Sequence, residues 1–377
     1  MHDQILEDIF FIMLYAAVTA TALIASFYLL FRRANAIAPD VMPPVRLRRW
    51  AAAFLATMVL GHLWWLLIPF YYLADNPLKG AVICIVLDCV LVLPTMTITL
   101  LTMLQDRRRP LWLAAIMILP VMVSLAACLL RPHDTLEQIM PVFRVTEGIL
   151  LMLYLAFFIY MIFAVRQYGK WLRDNYADLE YKEVWQSIVI LVIFMLVLFA
   201  YWFDNNNKTL EYLIQGFDFI LIGFLLWRVE TLKQLEGVTV EETEAPDTTA
   251  EPEEVTPSAI PSGIGQLLER RCEEAQLYLQ HDLSLSQLSQ TIGTNHYYLS
   301  QYFTQQGLTY NAYINGLRIR HFIHLYHEAV AARRTFTAQQ LANESGFRSY
   351  STFSAAFKQR MGQTVTAWMR NTGKEEN

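Results

Sequence analysis

Up to residue 235 the chain is built of long apolar runs with few polar interruptions, a pattern of lipid-facing helices and not of strands alternating in and out. Runs able to cross a bilayer as a helix, roughly 17 to 25 residues, fall at about 9–31, 51–73, 81–104, 110–130, 146–165, 185–203 and 211–227. They predict seven spans, the last one short and interrupted by Gly216, Asp218 and Gly223. Pro94 and Pro120 predict kinks within their helices.

After Gly263 the pattern changes to short amphipathic helices. Leu267, Leu268, Cys272, Ala275 and Leu279 recur at helical spacing and predict a first helix. Leu285, Leu288 and Ile292 mark the inner face of a second, capped by Ser284 or Ser286 and ended at Gly293. A third begins at Thr294 or Asn295, buries Leu299 and Phe303, and exposes His296, Tyr297, Ser300, Gln301 and Thr304. About fifty residues on, the pair recurs. TAQQLANESGF places Leu341 and Ala342 inward with Gly346 at the turn, and SYSTFSAAFKQRMG buries Phe353 and Phe357 while exposing Ser349, Tyr350, Ser351, Ser354, Ala355 and Lys358. A short helix, a glycine turn and a second helix with a polar outer face is a helix-turn-helix pattern. Between the two pairs, Tyr313, Leu317, Phe322 and Leu325 predict a linker helix of about 20 residues, close to 30 Å long. That length approaches the 34 to 36 Å between successive major-groove faces of B-DNA.

Composition supports this division. The 377-residue chain is 55% hydrophobic with a mean hydropathy of +0.31, too apolar for a single water-soluble globule. Its net charge of -5 averages unlike segments: residues 236–262 hold eight acidic and no basic side chains, whereas residues 264–374 hold eleven Lys/Arg against six Asp/Glu. The acidic stretch, with Pro246, Pro252, Pro257 and Pro261 and no aromatic residue, is too polar to bury a core. It predicts a disordered tether over 236–263, between a membrane domain at 1–235 and a basic domain at 264–377. As a coil it would span roughly 30 Å.

Twelve Lys/Arg follow spans one, three and five, against four after spans two, four and six. By the positive-inside rule the N-terminus lies outside and the C-terminal domain in the cytoplasm. The acidic start MHDQILED has no basic n-region, so the first run reads as a retained span and not a cleaved signal. Cys84, Cys89, Cys128 and Cys272 lack metal or disulfide spacing. His321, His324 and His327 step around their helix by about 60° each and do not share a face. No metal or cofactor is expected. Neither HExxH, GxSxG, a P-loop nor GxGxxG occurs, so the sequence offers no catalytic motif.

Three polar residues stand at matched depth in the spans. His62, Asp88 and Asp218 lie roughly 10 to 16 Å below the outer surface, where a charge is costly and usually faces the bundle interior. They form a candidate signal pocket with Glu147 and Asp204 near its rim, or else hold the helices together by hydrogen bonds. Trp64, Trp65, Trp112, Trp202 and Trp227 read as interfacial anchors.

Residues 264–371 resemble the C-terminal DNA-binding domain of the AraC/XylS family of bacterial transcription regulators. The resemblance rests on Leu341, Ala342, Gly346, Phe347, Phe353, Phe357, Lys358 and Gly362, on Tyr313, Leu317 and Arg318 in the linker helix, and on Leu288, Leu299, Ser300 and Phe303. Val365, Ser289 and Phe322 depart from the family pattern. The resemblance implies that side chains of two recognition helices reach base edges, with His296, Tyr297, Gln301, Tyr350, Ser351 and Lys358 as candidates. Arg348, Arg318, Arg320, Arg333, Arg334 and Arg360 would hold phosphate or the fold.

The expected protein is all-α: a seven-helix transmembrane bundle and a cytoplasmic AraC-type domain with two helix-turn-helix units on a linker helix. The reading that follows is a one-component regulator in the bacterial inner membrane. Its partners would be double-stranded DNA, the lipid bilayer, a second copy of itself as a homodimer, and a small-molecule or protein signal. Two alternatives stay open: a membrane enzyme or transporter with an autoregulatory DNA-binding appendage, and an inert anchor cut at the tether.

Overall fold

A computed structural model describes residues 2–32, 35–39, 41–72, 83–110, 112–129, 136–203, 208–235 and 263–375. The acidic tether and Asp204 lie outside them. Packing divides the chain into two compact units, Met1–Tyr168 with Val184–Val238, and Gly169–Glu183 with Thr239–Asn377. Among the described residues there is no named strand, only an isolated bridge between Tyr176 and Ser284.

The first unit holds α1 (His2–Phe31), α2 (Val45–Tyr72), α3 (Ile83–Thr102), α4 (Trp112–Ala115), α5 (Ile118–Leu129), most of α6 (Leu136–Asn175), α7 (Gln186–Phe203) and α8 (Lys208–Thr231). Five stretches, in α1, α2, α3, α6 and α8, are long and apolar enough to cross a membrane. They cover the expected spans one, two, three, five and seven. The fourth expected span falls on the short helices α4 and α5, and the sixth on α7, whose apolar stretch Gln186–Leu196 is shorter.

Small residues let α1 and α2 approach closely: Ala22, Ala25, Ala51 and Ala52 are buried, and Ser26 donates to the Ala52 carbonyl at 2.9 Å. The Thr57 and Thr95 hydroxyls join α2 to α3 at 2.9 Å. Residues Asp88–Val92 of α3 form a π turn just before Pro94. Proline cannot donate to the preceding turn, and the wider winding absorbs that loss. At the end of α8, buried Glu230 accepts from Tyr28 Oη and from the backbone N–H of Ala36 and Ile37 at 3.0 and 2.6 Å. Asp106 and Arg109 form a buried ion pair in which the Arg109 Nη2 group donates to both Asp106 carboxylate oxygens at 2.8 Å.

In the second unit, the single first helix expected over 264–279 is broken. It runs as α9 (Ile264–Leu268), a π turn at Glu269–Glu274, left-handed Gln276 at φ 52°, and a 3-10 turn at Leu277–Leu279. Leu268 and Cys272 are buried as expected, but past the break Ala275 is exposed, Leu279 only half-buried, and Tyr278 enters the core instead. There follow α10 (Leu285–Ile292), α11 (His296–Gln305), α12 (Tyr310–Ala331), α13 (Ala338–Glu344), α14 (Tyr350–Met361) and α15 (Val365–Glu375).

The linker helix α12 serves two cores in turn. Tyr310, Ile314 and Leu317 pack with Leu285, Leu288, Leu299 and Phe303. Ile319, Phe322 and Tyr326 pack with Leu341, Phe347, Phe353 and Phe357. Phe322 is fully buried, with its ring 4.4 Å from that of Phe353, so the large residue departing from the family pattern fills the centre of the second core. Val365 is buried in the same core, and Ser289 turns its hydroxyl to the Ser286 carbonyl at 2.8 Å.

Candidate nucleic-acid interface

The same local chemistry builds both helix pairs. Ser284 caps α10 with a reciprocal Gln287 capping box, and Thr337 caps α13 by accepting from the Gln340 N–H. Each first helix stops at a left-handed glycine, Gly293 at φ 77° and Gly346 at φ 91°. Each stop is closed by a backbone bond spanning five residues, Thr294 to Ser289 at 2.9 Å and Phe347 to Ala342 at 3.1 Å. Asn295 then caps α11 and Ser349 caps α14. The second turn is also tight in space. A Cβ on Gly346 would lie 2.8 Å from the Leu279 Cα, so only glycine fits.

The candidate base-reading residues fall on the outer faces of α11 and α14. His296, Tyr297, Ser351 and Lys358 are exposed, Gln301 and Tyr350 half-buried, while Leu299, Phe303, Phe353 and Phe357 of the same helices are buried. Tyr297 is 62% exposed and forms an edge contact with Tyr298, a large aromatic surface left open on an otherwise polar helix. The linker helix α12 has 22 residues and spans about 33 Å.

The arginines divide by role. Arg318 is 1% exposed and donates to the carbonyls of Tyr278, Gln280 and His281, so it fastens the start of the unit to α12 and is not a phosphate ligand. Burial lowers its pKa from the ordinary value, and three carbonyl acceptors offset the lost hydration. Arg360 packs against Gly316, where a Cβ would meet its Nη1 at 2.7 Å. Arg320 pairs with Glu273 and Arg334 with Glu344, each at 3.4 Å on the surface. Arg348, just before α14, meets Asp282 at 3.2 Å. Among the described residues no group of three or more His, Cys, Asp or Glu is placed to hold a metal ion.

Residues 288–371 match a family model described as a helix-turn-helix domain. The C-terminal domain is a helix-turn-helix domain. The match supports a DNA-binding regulator, and the helices α10 to α15 described above lie almost wholly inside it. No curated protein and no solved structure matches the chain.

The three polar residues of the spans lie in one region of the first unit. His62 Nε2 is 3.9 Å from Asp218 and 3.3 Å from the Gln215 amide oxygen, joining α2 to α8. Tyr15 of α1 donates to the His62 carbonyl at 2.6 Å. Asp88 does not touch His62; it accepts instead from the Trp64 and Trp65 indoles at 3.2 and 2.6 Å. Those two tryptophans, expected as interfacial anchors, therefore hold a carboxylate between helices. Sequence position did not reveal this, because the pairing depends on the relative rotation of α2 and α3. Glu147 pairs with Arg144 at 3.6 Å.

Proposed function

We propose that the chain is a membrane-anchored, sequence-specific transcription regulator whose bundle receives a signal and whose C-terminal domain carries it to DNA. The observation that carries this reading is the helix-turn-helix match at 288–371 in a chain that also has five helices able to cross a membrane. In this reading both helix pairs act as helix-turn-helix units, α11 and α14 enter successive major grooves, and His296, Tyr297, Gln301, Tyr350, Ser351 and Lys358 face the bases while Arg348 faces phosphate. The bundle has seven spans in the bacterial inner membrane with the C-terminal domain inside. The tether at 236–263 keeps the domain at high local concentration for pairing with that of a second copy.

His62, Asp88 and Asp218 are the proposed signal pocket. A ligand or proton that alters the His62–Asp218 contact alters the packing of α2 against α8, two helices that both reach the basic side of the membrane. Lys358→Glu tests the DNA assignment. It is expected to abolish promoter occupancy while the chain still fractionates with the membrane; unchanged occupancy would rule that residue out of the interface.

A further inference from the structure

The second unit includes a segment that no helix-turn-helix domain requires: Gly169–Glu183, the last turns of α6 and the loop before α7. From Asn175 to Lys182 it is seated on the helix-turn-helix domain. The Ala177 N–H donates to the Leu283 carbonyl at 3.3 Å, next to the bridge between Tyr176 and Ser284. Asn311 of α12 donates to the carbonyls of Tyr176 and Ala177 at 3.3 and 2.6 Å, and Ala177 is fully buried in the first core. Lys182, 3% exposed, bonds the Asp178 carbonyl at 2.8 Å and pairs with Asp282 at 3.5 Å.

This segment also meets two of the side chains assigned to DNA. His296 Nε2, at the start of α11, lies 3.0 Å from Asn175 Oδ1. Partial desolvation lowers the His296 pKa from its ordinary value and so favours the neutral imidazole. The Arg348 guanidinium, at the start of α14, lies 5.8 Å from the centre of the Tyr181 ring, and its charge is shared with the Asp282 carboxylate that also holds Lys182. Tyr181 sits at φ 61°, a conformation non-glycine residues seldom adopt, and Asp178 Oδ2 is buried with no hydrogen-bond partner. The left-handed backbone at Tyr181 raises the energy of the docked segment and poises it for release, while the Asp178 carboxylate lies within electrostatic reach of the buried Arg318 guanidinium.

We propose that Asn175–Lys182 is an intramolecular strap that occupies His296 and Arg348, so that strap and DNA compete for the same side chains. The strap is continuous with α6 and α7, and a shift of either helix is carried to it through the chain. A signal in the bundle thereby changes DNA affinity without changing the interface itself. The inference rests on the DNA-binding reading.

The test uses the full chain in lipid nanodiscs, titrated with duplex fragments that the chain enriches from its own genomic DNA. The double variant Asn175→Ala/Lys182→Ala removes strap contacts and no DNA-facing residue. Removing a cation weakens DNA binding on electrostatic grounds alone, whereas release of the strap is expected to tighten it roughly 5- to 20-fold. A second variant, Tyr176→Cys/Ser284→Cys, exploits a bridged antiparallel pair within disulfide reach. Oxidation is expected to suppress binding at least about tenfold, and reductant to restore it. Equal or weaker binding by the alanine variant, with no effect of the disulfide, would overturn the strap and leave DNA binding intact. Absence of DNA binding by every form would overturn both readings.

Discussion

Gly346 carries two constraints at once, a left-handed backbone and contact with Leu279 through the space a side chain would fill. Gly346→Ala is expected to cost about 2 kcal/mol or more, read as faster hydrogen exchange across α13 and α14. Lys358 and Tyr297 make a contrasting pair. Lys358→Ala is expected to lower DNA affinity and to reduce the slope of log affinity against log salt by about 1 if the ammonium holds phosphate. Tyr297→Ala is expected to lower affinity with no change of slope, because an aromatic ring releases no counterion. Equal slopes for both variants would keep Lys358 at the base edge proposed for it, whereas a slope reduced for Lys358→Ala alone would move it to phosphate.

The two cores along α12 make that helix the rigid member that spaces α11 and α14. Phe322→Ala opens a cavity at the centre of the second core, beside Phe353, Phe357 and Trp368, and is expected to cost about 3 to 5 kcal/mol. Limited proteolysis should then cut within α13 to α15 while leaving α10 and α11 protected; equal cutting throughout would mean that the two cores unfold as one. Most of this fold was legible beforehand. Capping residues, turn glycines and apolar spacing act over a few neighbours, so Gly293, Gly346, Leu299 and Phe357 could be placed from the sequence and the caps narrowed to Ser284 or Ser286 and to Thr294 or Asn295. The π turn at Glu269–Glu274 was not legible, because its apolar residues keep a spacing compatible with an unbroken helix. Nor was the seating of Ala177 or Lys182, which looked like ordinary loop residues and acquire meaning only through contacts a hundred or more positions away.

The whole molecule joins a half with five helices long and apolar enough to cross a membrane to a helix-turn-helix domain, and the proposed function requires both in one chain. The paired contacts of Asp88 with Trp64 and Trp65, and of His62 with Asp218, tie α2 to α3 and to α8. Asp218→Asn keeps the size of the side chain and removes its charge. If the pocket receives the signal, this variant should fix promoter output in one state, on or off, at wild-type membrane abundance; an undiminished response would return these residues to helix packing. The measurement that reaches furthest is immunoprecipitation of the full-length chain, cross-linked to DNA in its own cells and recovered from the membrane fraction, followed by sequencing of the bound fragments. A shared two-part motif with its elements about one helical turn apart is the predicted result. Membrane-fraction protein carrying no enriched DNA, or fragments with no common motif, would contradict a membrane-anchored regulator.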